Sequence, residues 1–163
     1  MREGHTGPRE VLWLYNKFRF IRYLFAIRLN HYLVRMIRQV IYASDLPGSP
    51  FYSHAVKAGG LVYLSGFVGV NPRTKKVEGD TIEAQTRQAI QNCEIVLKAA
   101  GSRLEDVVQV IVLLRDSADF DAMNREYSKF FSKEPPARAV AKLGVELPNV
   151  KVSIAMTALV SQD

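Results

Sequence analysis

Residues 80–114, DTIEAQTRQAIQNCEIVLKAAGSRLEDVVQVIVLL, change their hydrophobic period part-way. Apolar residues first recur at Ile82, Ala89, Ile90, Cys93, Val96, Leu97 and Ala100, the spacing of one buried helix face, until Gly101 stops the run. Asp80 with Glu83 three residues on resembles a capping box at the start. This spacing predicts a helix of about five turns. From Val107 to Leu114 the period is lost, and the nearly continuous, β-branched VVQVIVLL predicts a central strand covered on both faces.

Outward from this pair, residues 52–57 and 61–66 are strand-like runs joined by Ala58-Gly59-Gly60, a hairpin signal because glycine supplies the positive φ of a tight turn. Asn71-Pro72-Arg73-Thr74 is a further turn. Downstream, Asp116 or Ser117 can cap a second helix with a buried stripe of Phe120, Met123, Tyr127 and Phe131, which Pro135-Pro136 ends. Residues 137–143 and 150–160 are the last strands, and in the final one Val152, Ile154, Met156 and Ala158 alternate with Ser153, Ala155 and Thr157. The order ββ-α-β-α-ββ argues an α+β class, a mixed sheet with two helices packed on one face. The other sheet face is left without a cover, and oligomerisation is the natural remedy.

The chain has 163 residues, 48% hydrophobic and 23% charged, the composition of one globular domain. Its net charge of +6 suggests an anionic partner only until it is located. Residues 1–40 hold eight basic side chains and two acidic ones, which accounts for the whole excess. A neutral remainder cannot supply the row of phosphate contacts that dominates nucleic-acid affinity, so no nucleic-acid partner is expected. The single Cys93 excludes an intrachain disulfide and fits a reducing compartment, and it reads as a core residue of the first helix. His5, His31 and His54 are scattered, so no metal site is expected.

Residues 1–40 read as a basic N-terminal extension and 41–163 as the folded domain. The extension is rich in large apolar residues, but no uncharged run approaches the ~20 residues of a membrane span. At helical spacing Lys17, Arg28, His31, Arg35 and Arg38 share one side while Arg19 and Arg22 fall nearly opposite. Three explanations stand: a mitochondrial-type leader, a basic interfacial or partner-docking helix, and upstream translated sequence ahead of a natural start at Met36. The expected compartment is the cytoplasm, or the mitochondrion if residues 1–35 are a leader.

Taken in order, Pro50-Phe51-Tyr52-Ser53-His54-Ala55-Val56, Val62-Tyr63-Leu64-Ser65-Gly66, the helix ending LKAAG, Val112-Leu113-Leu114-Arg115-Asp116 with Asp119-Phe120, and Pro136-Ala137-Arg138-Ala139 resemble the RidA (YjgF) family of imine and enamine deaminases. The resemblance covers about residues 40–160. It implies a chorismate-mutase-like α+β fold, a homotrimer with sites at the subunit interfaces, and hydrolysis of reactive 2-imino or enamine acids to 2-keto acids and ammonia, with no cofactor. The expected partner is therefore a small 2-imino or 2-keto acid.

The resemblance marks Arg138 as the substrate-carboxylate clamp and, with Tyr52, as a catalytic residue. A guanidinium fork suits that task because it offers two parallel charge-assisted hydrogen bonds. Ser65, Phe67, Ala139 and Ala155 complete the implied substrate-binding set. Two of these are departures. Ala155 stands where imine-hydrolysing members carry a glutamate thought to orient or activate water, assistance worth about 10²–10⁴-fold. Phe67 stands where the family has Gln after Ser-Gly, and the segment from Arg138 to Pro148 is one residue longer than usual. The resemblance thus leaves open a non-catalytic carboxylate-binding regulatory trimer, or a hydrolase with another substrate.

Overall fold

The computed structural model describes residues 37–161, together with Lys17 and residues 19–23. The chain divides into two units, Met1–Ile37 and Arg38–Asp163. In the first, Lys17 and residues 19–23 are helical, and Phe20, Ile21 and Tyr23 expose their side chains. Arg28, His31 and Arg35, on which the two-sided charge pattern rests, lie outside the described residues.

The second unit is a seven-stranded mixed sheet with helices on one face. Its elements are β1 (Gln39–Ile41), β2 (Ala55–Ala58), β3 (Leu61–Leu64), β4 (Phe67–Val68), α1 (Ile82–Ala99), β5 (Val107–Leu114), α2 (Phe120–Tyr127), β6 (Ala137–Lys142) and β7 (Val152–Leu159). The sheet order is β1-β2-β3-β7-β5-β6, with β4 also on β7. All pairs are antiparallel except β5 with β6. Gln39 and Val40, assigned by sequence to the extension, belong to the sheet through pairing with Lys57 and Val56.

The period change quoted above is real. α1 spans 18 residues and buries Ile82, Ala89, Ile90, Cys93, Val96 and Leu97, with Ala100 just beyond its last turn. Its cap is Thr81 rather than Asp80: the Thr81 hydroxyl accepts from the Ala84 N–H at 3.2 Å. Val152, Ile154, Met156 and Ala158 of β7 and Val110 and Val112 of β5 fill the core beneath the helices. The expectation that β5 is covered on both faces is corrected by Val108 and Ile111, 42% and 40% exposed on the strand's other side. β5 is an interior strand, one in from the edge, and its other face is open.

Three boundaries differ for local reasons. The first run begins at Ala55, because residues 50–54 turn into the sheet and His54 is tied to the preceding loop, its Nδ1 accepting from the Ala43 N–H and its Nε2 donating to the Pro47 carbonyl. α2 ends at Tyr127, well before Pro135-Pro136, and Phe131 reaches the core from a turn beyond the helix. Asp116 does accept from the Ala118 N–H, but it caps a single 3-10 turn that leads into α2, and Phe120 is exposed.

Candidate functional site

β6 is the edge strand beside α2, and its register places Arg138 opposite Val110 and Val140 opposite Val112. Since Val110 and Val112 are buried under the helices, strand alternation puts Arg138, Val140 and Lys142 on the helix side of the edge. There the Arg138 guanidinium carbon lies over the Tyr127 ring, 4.6 Å from its centroid. Among the described residues nothing forms an ion pair or hydrogen bond with Arg138, so its N–H donors are uncommitted. Farther along the same face the strand borders a groove of about 710 Å³ lined by Leu114, Arg115, Phe120, Val140 and Lys142. That volume suits a small metabolite.

The sequence places Tyr127 only in a buried stripe. It is 6% exposed, its ring packs on Phe131 at 4.7 Å, and its hydroxyl is buried without a partner among the described residues. Burial raises its pKa, with the Arg138 charge acting weakly in the opposite sense. Asn124, one helical turn before it, has a buried Oδ1 that is likewise unpartnered. In the sequence the spacing of three puts both on one side of α2.

Ser65 and Gly66 form a bulge between β3 and β4. Tyr63 pairs with Thr157 but Phe67 pairs with Ile154, so four steps along one strand match three along the other. The extra residue reverses the facing of everything after it. Phe67 therefore turns inward: it is 9% exposed, part of the core, and its ring meets His54 edge-on at 5.9 Å. Within the chain it lines the core rather than a cleft. The Ser65 hydroxyl donates to the Ser53 carbonyl at 2.7 Å, which leaves its lone pairs to accept from a ligand.

Ala155 lies on β7 across from this bulge and pairs with Ile111, which pairs in turn with Ala139. Ala155, Ile111 and Ala139 thus form a row across the open face. The half-exposed Tyr52 sits in the loop ahead of β2, at the opposite end of the sheet from Arg138. From the β2 end to β6 there are four strand spacings, roughly 19 Å. Arg138 and Tyr52 thus stand at opposite ends of one chain's sheet.

The family model described as Endoribonuclease L-PSP matches residues 44–160. The chain belongs to the RidA (YjgF) family. A RutC family protein of Saccharolobus solfataricus is 40% identical over 124 residues, 75% of this chain and 98% of the relative. A 2-iminobutanoate/2-iminopropanoate deaminase of Dermatophagoides farinae is 39% identical over 104 residues, 63% of this chain and 80% of the relative. The crystal structure of the YjgF gene product of E. coli superposes with a TM-score of 0.69 at 30% identity, covering 74% of this chain and 98% of that one. The α+β fold of the RidA family is therefore the fold of this chain. Among the described residues no group of three or more His, Cys, Asp or Glu could hold a metal ion, and no helix is long and apolar enough to cross a membrane.

Proposed function

We propose that this RidA-family protein is a deaminase that hydrolyses small 2-imino acids, and the enamines in equilibrium with them, to 2-keto acids and ammonia. The observation that carries the reading is Arg138, a guanidinium without an ionic partner among the described residues, placed over the Tyr127 ring. Its fork binds the substrate carboxylate through two N–H donors and fixes the adjacent imine carbon. Water adds to that carbon; the C=N pair becomes an amino group as the water proton moves to nitrogen. Collapse of the resulting carbinolamine expels ammonia and leaves the keto carbonyl. Atoms balance with one water consumed and no redox change.

The separation of Arg138 from Tyr52 supports a site assembled from two copies, Tyr52 of one facing Arg138 of the next, and the open sheet face with its half-exposed Tyr63, Val108, Ile111 and Leu159 supports a homotrimer that covers it. Ser65, Ala139 and Ala155 would then line the cleft from the open face. The reaction needs no cofactor. With a neutral domain beyond residue 40, the ribonuclease activity in the family model's description is the weaker reading. A cytoplasmic location is the simplest setting, with a mitochondrial one if residues 1–35 act as a leader.

Ala155 favours a second reading. It places a methyl group between Ser153 and Thr157, and neither hydroxyl is a base near neutral pH, so a trimer that binds keto acids without turnover is the alternative. The deciding experiment generates iminopropanoate or iminoleucine with an amino-acid oxidase and traps it with semicarbazide. A deaminase lowers trapping, and Arg138→Ala restores it. Tight keto-acid binding with imine decay left at the solvent rate establishes the binding protein instead.

A further inference from the structure

We propose that Tyr127 is a positioning residue, whose ring face holds the Arg138 guanidinium in place with its hydrogen-bonding edge free. This rests on the reading of Arg138 as the carboxylate clamp. An arginine on an exposed edge strand is free to explore many rotamers, and ordering it on binding weakens affinity. A carboxylate neighbour would restrain it, but only by occupying the in-plane donors that a substrate needs. An aromatic face attracts the cation from above and leaves those donors open.

The ring is itself fixed. Tyr127 is buried in the last turn of α2, its ring packs on Phe131 at 4.7 Å, and Met123 one turn earlier is wholly buried. Next to it, Glu126 accepts from Arg87 of α1 at 2.6 Å and from Lys129 at 2.6 Å, which ties α2 to the longer helix. The guanidinium 4.6 Å above this ring thus rests on a support anchored in the core. The phenol hydroxyl plays no part in this hold.

The test measures 2-ketobutyrate affinity for the full-length protein by calorimetry, with thermal melting and oligomeric state as controls. Tyr127→Phe is expected to bind within about twofold of wild type, and Tyr127→Leu about tenfold more weakly. Replacing Tyr127 by a series of increasingly fluorinated phenylalanines keeps the shape while draining the ring face of electron density, and affinity is expected to fall stepwise along it. In an Arg138→Ala background the same replacements should change nothing further. An affinity indifferent to fluorination, in proteins where Arg138→Ala abolishes binding, would overturn the proposal and leave Tyr127 as packing. Unchanged binding by Arg138→Ala would overturn the clamp reading itself, and this proposal with it.

Discussion

The two faces of the sheet are made by the same strands, yet they are finished to different degrees. On the helix side Val152, Ile154, Met156 and Ala158 of β7 are all but sealed from solvent. On the other side Ser153, Ala155 and Thr157 of the same strand are small or polar, while Leu159 at its end and Tyr63, Val108 and Ile111 on neighbouring strands stand half-exposed. One face is a complete core. The other leaves apolar area exposed, and the proposed substrate-binding positions Ala139, Ala155 and Ser65 lie on or beside it.

The largest effects are expected from a charge introduced on each face. Ile154→Asp would strand a carboxylate in the core at a cost of several kcal/mol, so no cooperative unfolding transition is expected by circular dichroism. Ile111→Asp, one strand away on the open face, should keep native secondary structure but sediment as a smaller species and lose keto-acid binding. A trimer retained by the second variant would mean that the open face is not the interface.

A smaller effect is expected at His54, buried and bonded through both ring nitrogens. His54→Ala leaves the Ala43 N–H and the Pro47 carbonyl without their partner and opens a cavity, costing about 2–4 kcal/mol in urea unfolding. Glu126 sharpens the account of the helix layer through pH. Arg87, and then Lys129, hold its carboxyl below the usual range against the opposing effect of burial. Its folded value lies below its unfolded one, so its contribution is complete above the unfolded value of about 4.3 and is lost as pH falls through the folded value. Stability measured by urea midpoint between pH 6 and 2, roughly the window of carboxylate titration, should fall less steeply for Glu126→Gln than for wild type. Smallest is Thr81→Ala, expected to cost about 1 kcal/mol through loss of the α1 cap.

Much of this architecture was legible because it rests on period. The face of α1, the alternation in β7 and the Gly59-Gly60 hairpin, with φ of 60° and 82°, follow from spacing and from glycine's lack of a Cβ. Arg138 was singled out through its motif, and the structure adds only its place over the Tyr127 ring. Phe67 was not, because strand alternation counted across residues 63–67 does not register the extra residue at Ser65-Gly66 that turns the ring inward. β1 was hidden in an apolar, charged stretch of extension-like composition. Tyr127 matched a core stripe, and its second contact, with an arginine eleven residues later on another element, is a tertiary fact that no local pattern carries.

On this reading Arg138 and Tyr52, at opposite ends of one sheet, act together only across copies. The direct test mixes Arg138→Ala and Tyr52→Ala chains by unfolding and refolding, and measures imine hydrolysis and keto-acid binding. Shared sites predict that two impaired parents yield hybrids in which about a quarter of the wild-type sites are restored, since a site then draws each intact residue from a different chain. No recovery in hybrids shown to contain both chains would contradict the account.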